Sequence, residues 1–184
     1  MVPMRHRLFE TPTGLFALIQ NEDGSLNTTW LSGKSDSRIA KSRLDRRLLP
    51  ELADRIKRYF DGQHVGFADV PTPAGPDFHV KCWNACRKIP RAQMRSYAHL
   101  AILAGAKADG VRAAGQAMRN NPLPIVIPCH RVVASSGKLH GFAGSSDESG
   151  KELAIKRALL ELEGANLPAA EPAVNKREAV GAGA

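Results

Sequence analysis

Apolar residues in the first third of the chain come in short runs broken by turn-forming sequences. Leu8-Phe9 and Leu15-Phe16-Ala17-Leu18-Ile19 flank Thr11-Pro12-Thr13-Gly14, and Asp23-Gly24 parts the second run from the stretch Leu26 to Leu31. Runs of this length between Gly, Pro and Asp predict strands, here a three-stranded meander. The period then changes. Pro50, acceptable as a first helical residue, opens a stretch in which Leu52, Ile56, Tyr59 and Phe60 share one face, and Asp61-Gly62 ends it. No catalytic constellation stands out in this third.

Residues 70–76, Val-Pro-Thr-Pro-Ala-Gly-Pro, read as a linker between two domains. Beyond it the pattern predicts helices at about 77–88, 96–104 and 109–119, an extended segment to about 133, and a last helix at about 150–163. From Leu167 to Ala184 the chain is rich in Ala, Pro, Glu and Gly without apolar periodicity, which predicts a disordered tail. The resulting division is 1–75, 76–166 and 167–184.

The 184 residues suffice for a real hydrophobic core. No stretch is long and uncharged enough to span a bilayer, and the basic first residues lead into no signal-like apolar run. Three cysteines, an odd count, argue against a disulfide framework and for a reducing cytoplasm. The net charge of +8 and a pI near 9.8 serve solubility, and they also fit an anionic partner such as nucleic acid.

The predicted helix pair sharpens that choice. Ser96 is a good N-cap for the first helix and Gly105 a good stop, and Asp109 caps a second helix that Asn120-Asn121-Pro122 ends. Two short helices with a Gly-containing connection are compatible with helix-turn-helix. Val111, Ala114, Gly115 and Met118 form the expected inward stripe, while Arg112, Gln116 and Arg119 share another side with Ala113 and Ala117 beside them. Long basic side chains next to very small ones let a helix approach a phosphate-lined groove. By itself the pattern fits a solvated helix face better.

The chemistry concentrates in Ile125-Val126-Ile127-Pro128-Cys129-His130-Arg131-Val132-Val133. A thiolate is a nucleophile that nearby cations stabilise, lowering its pKa from about 8.5, although a lone buried Cys is more often a small apolar residue. In the last helix Ser149 and Glu152 form a capping-box signature, and Ile155, Leu159 and Leu162 give an apolar face with Leu160 close by. Glu163, four residues after Leu159 and eight after Ile155, falls on that inward side, unless fraying at Gly164 carries it to solvent. A core-facing carboxylate needs a partner, and a histidine would complete a Cys–His–Glu relay of nucleophile, base and orienter. His79, Cys82 and Cys86 share a helical face, but seven residues of helix span roughly 10 Å, too far for one ion at bonds of about 2.0–2.3 Å. With Phe78, Trp83 and Ile89 they read as core, and no metal is expected.

Taken together, these residues resemble the O6-alkylguanine-DNA alkyltransferases, the methylated-DNA–protein-cysteine methyltransferase family. The matching elements are Phe78 with Cys82-Trp83, Ile89-Pro90, Arg95-Ser96-Tyr97, Val111-Arg112-Ala113-Ala114-Gly115, Asn121-Pro122, the block Ile127 to Val133, Ser136-Gly137-Lys138-Leu139, Gly141-Phe142, and Leu159-Leu160 with Glu163. They run in order over roughly half the chain, and the Pro-Cys-His-Arg block in this company is highly specific. The resemblance implies an α+β fold. Its first part would be an N-terminal ribonuclease-H-like α/β domain, less distinctive in sequence. A mainly helical, winged-helix-like domain would follow, carrying the helix-turn-helix and the active-site cysteine.

The resemblance also implies roles. Cys129 would accept an alkyl group from O6-alkylguanine in double-stranded DNA, once per molecule, with O4-alkylthymine left open as a second lesion. His130 would activate it through a water, with Glu163 orienting the imidazole and Asn121 ordering the segment before Cys129. Tyr97 would contact the flipped nucleotide and help protonate the leaving guanine at N3. Arg112 would fill the vacated stack as its helix, with Ala113, Gln116, Ala117 and Arg119, enters the minor groove beside Ser96. Pro128, Val132, Phe142 and Ala143 would line the substrate pocket, with backbone groups around Cys129 and Val132 reading the guanine edge. In-line displacement needs only an oriented thiolate and a protonated leaving group, so no cofactor is expected, and a monomer suffices.

Four features depart from the family's pattern. Phe142 stands where a tyrosine is usual and Ala143 where glycine or a small polar residue is common. The loop Ser145 to Gly150 is longer than usual, and Arg91-Ala92-Gln93 replaces a glycine-containing turn. Other readings are a non-catalytic protein that binds alkylated DNA, a cysteine hydrolase, and a sequence-specific helix-turn-helix regulator. A hydrolase would need an oxyanion site and a base usually distant in sequence, whereas here the candidate base adjoins the thiol. The presence of Cys129 argues against mere binding.

Overall fold

A computed structural model describes residues 3–106, 110–139 and 150–167. The predicted meander is present as β1 (Arg5–Thr11), β2 (Gly14–Gln20) and β3 (Leu26–Trp30), followed by a short β4 (Arg43–Leu44). The order is β3-β2-β1-β4, antiparallel throughout except that β4 runs parallel to β1. The period-two alternation explains why Leu15 to Ile19 is apolar without interruption, since β2 is covered on both faces. Phe16 and Leu18 point to the main core with Trp30, whereas Ala17 and Ile19 meet Leu31 and Ile39 on the other side. Helix α1 (Pro50–Phe60) lays Leu52, Ile56, Tyr59 and Phe60 on the first face, where the Phe16 ring meets Trp30 at 4.8 Å and Phe60 at 5.2 Å edge-on.

The second half begins with α2 (Asp77–Arg87), then β5 (Arg95–Ser96), α3 (Tyr97–Leu103) and α4 (Val111–Arg119). A 3-10 turn (Cys129–Arg131), β6 (Val132–Val133) and α5 (Lys151–Glu163) complete the described elements. Ser96 caps α3 as expected, its Oγ accepting from the His99 N–H at 3.1 Å, and Gly105 past the helix end takes φ +83°. Helix α4 packs on α2 and α3, and a Cβ on Gly110 would collide with that of Ala106, so only glycine fits where α4 starts. The proposed caps Asp109 and Ser149 lie outside the described residues, as do Phe142, Ala143, most of the Ser145–Gly150 loop and all of the tail but Leu167.

Both halves share one buried core, from Phe16, Tyr59 and Phe60 to Cys82, Trp83, Leu100, Cys129 and Leu159. The segment 70–76 is held against α2: Val70 is buried, the Thr72 hydroxyl donates to the Asn84 side chain at 2.6 Å, and Arg87 reaches back to Thr72 and Phe67. No described helix is long and apolar enough to cross a membrane.

Candidate active site

Cys129 does not lie in an extended strand as the apolar run suggests. Its backbone N–H donates two residues back to Ile127 O at 2.8 Å, and the Arg131 N–H donates to Pro128 O at 2.9 Å, closing a 3-10 turn. Pro122, Pro124 and Pro128 have no N–H to give a ladder, so other groups pin the segment before the cysteine. Asn121 straddles it, its Oδ1 accepting from the Leu123 N–H and its Nδ2 donating to Ile127 O, both at 2.9 Å. From β3, the Thr28 N–H donates to Pro122 O at 3.0 Å and the Thr28 hydroxyl to Pro124 O at 2.7 Å. Ile125 is held inside at φ +77°, a strained conformation for a β-branched residue that only such over-determined surroundings maintain.

Glu163 points inward on α5, and its carboxylate is met by donors on both oxygens. Oε1 accepts from His130 Nε2, the Arg131 guanidinium and the Tyr59 hydroxyl, each at 2.8 Å. Oε2 accepts from Arg131 Nε at 2.9 Å and, more distantly, from the Ala92 N–H at 3.4 Å. Burial pushes this carboxyl's pKa up, but the hydrogen bonds and charges of His130 and Arg131 outweigh it and hold the group well below the usual carboxylate range. Ala92 takes φ +62° to present its N–H, so the Arg91-Ala92-Gln93 turn adopts at Ala92 the left-handed conformation a glycine would accept freely. Arg91 braces the corner by donating to Gln63 O, Gly62 O and Leu162 O.

Because an ionised carboxylate only accepts, the short His130–Glu163 contact puts the imidazole proton on Nε2 and the lone pair on Nδ1. Nδ1 is buried and has no hydrogen-bond partner among the described residues. Burial lowers the His130 pKa against the raising influence of Glu163, so the ring is held neutral, with Nδ1 as its acceptor nitrogen. Cys129 departs from the expectation of a depressed pKa. Burial raises its thiol, against opposing contributions from the Asn121 side chain, Lys156 and backbone N–H groups. The reason is geometric: the flanking Arg131 is spent on Glu163 and Ile89 O instead of the sulfur. A thiol of this kind becomes a nucleophile only with a base to take its proton.

Two neighbours complete the surroundings of the thiol. β5 pairs in parallel with β6, Arg95 opposite Val132 and Ser96 opposite Val133, which sets Tyr97 beside the cysteine turn. Burial, with the nearby thiols of Cys129 and Cys86, pushes the Tyr97 phenol up to about 12, so it is a proton donor at neutral pH. The second neighbour is one that sequence reasoning missed. Lys156 is fully buried on α5, donates to Val132 O at 2.6 Å, and stands 5.7 Å from the centroid of the Tyr97 ring. Its spacing with Leu160 and Glu163, i, i+4 and i+7, is the inward stripe read one position over.

On α4, Arg112, Ala113, Gln116 and Arg119 are exposed as expected. Ala117 is not: it is fully buried, and its carbonyl accepts the Trp83 indole N–H at 2.8 Å. Val111, expected inside, is 39 % exposed. The core stripe is therefore Ala114, Ala117 and Met118, because α2 packs from the Trp83 side and the first turn of α4 rides outward. Ser96 is half-buried and engaged as a cap. Pro128 and Val132 are buried, and Pro128 borders a cleft of about 790 Å³ that Tyr59, Phe67, Ile89 and Arg131 also line. Cys82 and Cys86 are buried in the core, and the described residues hold no cluster of three His, Cys, Asp or Glu that could bind a metal.

A buried thiol, a neutral imidazole next to it in the chain with its proton held by a carboxylate, and that carboxylate locked by further donors are the groups that nucleophilic attack by sulfur would need. The comparisons with known proteins narrow the class. Residues 77–165 match the family model described as 6-O-methylguanine DNA methyltransferase, DNA binding domain. A methylated-DNA–protein-cysteine methyltransferase of Methanosarcina barkeri is 36% identical over 165 residues, covering 89% of this chain and 99% of that protein. The crystal structure of the Mycobacterium tuberculosis O6-methylguanine methyltransferase superposes with a TM-score of 0.73 at 33% identity, over 91% of this chain and 96% of its own. The structure of the Mycobacterium tuberculosis protein OGT in complex with DNA gives 0.71 at 34% identity, over 90% and 96%. The chain belongs to the methylated-DNA–protein-cysteine methyltransferase family.

Proposed function

We propose that this protein repairs alkylated DNA by direct reversal, with Cys129 accepting the alkyl group from the O6 of guanine in a duplex. The observation that carries this reading is the 2.8 Å contact of His130 Nε2 with Glu163, which leaves Nδ1 as the base next in the chain to the buried sulfur. The Cys129 proton passes to Nδ1 through a water, the sulfur attacks the alkyl carbon in line, and the C–O6 bond breaks as the S–C bond forms. The departing guanine keeps the electron pair and takes a proton at N3 from Tyr97, which is reprotonated through solvent as His130 releases the proton it took from the thiol. Because a thioether is a poor leaving group, the protein is consumed in one turnover.

A base inside a duplex is out of reach of a buried thiol, so it must be extruded at a cost of a few kcal/mol. The exposed face of α4 suits that extrusion. Arg112 refills the stack, Gln116 and Arg119 meet the backbone, and Ala113 allows close approach. Phe142 and Ala143, assigned to the pocket wall, lie outside the described residues. The antiparallel strands with β4 parallel to β1 support reading the N-terminal unit as ribonuclease-H-like, and α2 to α4 with paired β5 and β6 support a winged-helix-like second unit.

Incubation with O6-methylguanine duplex and mass spectrometry of the digested protein tests the assignment. One methyl group is expected on the peptide containing Cys129, never more than one per chain, and methyl on Cys82 or Cys86 instead would refute it. Arg112→Ala is expected to slow transfer from duplex by roughly tenfold or more while leaving transfer from the free alkylated base nearly unchanged. Equal losses on both substrates would remove the wedge role.

A further inference from the structure

One member of the hydrogen-bonded relay comes from the other half of the chain. Tyr59 lies on α1, outside the matched segment 77–165, and 104 residues before Glu163. It is 2 % exposed, and its hydroxyl lies 2.8 Å from Glu163 Oε1 and 3.3 Å from His130 Nε2. We propose that Tyr59 is a positioning residue for alkyl transfer: by donating to Glu163 Oε1 it fixes the carboxylate so that His130 must give Nε2–H to Glu163 and keep Nδ1 as the proton acceptor.

The direction of each bond follows from what each group can do. The carboxylate has no proton to give, so both short contacts to Oε1 are donations into it. The alternative tautomer would set the Nε2 lone pair against an ionised oxygen at 2.8 Å, and the bonded arrangement around Glu163 excludes it. Burial and the Glu163 charge push the phenol well above its ordinary pKa, so Tyr59 keeps its proton throughout the working range. Its ring is gripped by Phe60 edge-on at 5.4 Å and by the Arg91 guanidinium 5.8 Å from the ring centroid. Arg91 in turn is tied to residues at the ends of both α1 and α5. The hydroxyl is therefore delivered to the relay by a framework that the second half alone does not contain.

The proposal rests on Cys129 being the alkyl acceptor, and the test separates the two claims. The full-length chain and Tyr59→Phe are compared for the rate of Cys129 methylation by O6-methylguanine duplex across the neutral range, with the same series on free O6-benzylguanine. Besides burial, the groups that bear on His130 are Glu163, which raises its pKa, and Arg131 and Lys156, which lower it. A carboxylate that has lost one donor draws the proton more strongly onto His130, so the acid limb should move to higher pH. The plateau should fall roughly tenfold on both substrates, as for loss of a partner that orients a working imidazole. A second variant, 3-fluorotyrosine at position 59, preserves the packing and makes the phenol a stronger donor, so its acid limb should move to lower pH.

An unmoved limb in both variants overturns the proposal, even if Tyr59→Phe loses thermal stability or rate, because packing alone would then explain the loss. If Tyr59→Phe does not fold, the fluorotyrosine limb decides. Absence of methyl on Cys129 in the unaltered protein would instead overturn the functional reading.

Discussion

Glu163→Gln should yield a protein about 3–5 kcal/mol less stable than the parent and at least roughly a hundredfold slower in alkyl transfer. The amide is nearly isosteric, so the loss comes from charge and hydrogen-bond direction. In the parent, Oε1 receives three donors and Oε2 two. Whichever way the amide turns, its NH2 faces donors, and the Arg131 guanidinium, with its side chain 13% exposed, loses its counter-charge. The imidazole also loses the acceptor that fixes its tautomer, so in the proposed mechanism Nδ1 is no longer reserved as the proton acceptor for Cys129. The pH dependence carries the same signature. Since the folded-state pKa of Glu163 lies well below its ordinary value of 4.5, its contribution is present above that value and lost as pH falls below it. Acid unfolding of the parent should therefore be steeper than that of Glu163→Gln, as read by circular dichroism with urea titrations at several pH values. A variant within about 1 kcal/mol of the parent at neutral pH would mean that the carboxylate is not a buried hub.

Much of this centre could be read from local pattern. The strands, α1 and the last helix follow from apolar period, and Glu163 shows itself because a carboxylate on a leucine stripe demands a partner. What escaped was set by contacts far apart in the chain. Tyr59 sits correctly on the apolar face of α1, but nothing near it in sequence says that its hydroxyl meets a carboxylate from the last helix. The two-residue β4 has no alternation to detect, since it exists only through pairing with β1. Ala117 and Val111 exchanged places because small residues leave a helix's inner face weakly defined, and the docking of Trp83 decides it. The thiol's raised pKa was likewise hidden: neighbours in sequence supply cations, but folding directs Arg131 to Glu163 and brings Lys156 from another helix.

That lysine gives the other large effect. Lys156→Met should hold or raise thermal stability at neutral pH while slowing Cys129 alkylation by roughly tenfold or more. Burial lowers the Lys156 pKa from 10.5 to about 8, against the raising influence of the Cys129 and Cys86 thiols. A shift of that size corresponds to roughly 3 kcal/mol of destabilisation while the group is charged. Between about 8 and 10.5 the unfolded chain binds a proton that the folded protein has released, so this penalty is relieved as pH rises and is fully present below 8. Methionine fills a similar volume without the charge, and replacing a buried ion in this way is often neutral or stabilising. The lost 2.6 Å bond to Val132 O offsets part of the gain. In the proposed mechanism a buried cation retained at such a cost makes sense, because it would stabilise the thiolate formed as His130 takes the proton. The rate of Cys129 alkylation in Lys156→Met should therefore rise with pH only at higher values than in the parent, and the difference in urea stability between the two proteins should shrink from about pH 8 upward. A variant that is less stable yet alkylates at the parent rate would reverse the assignment, leaving Lys156 as a packing residue and Cys129 dependent on His130 alone.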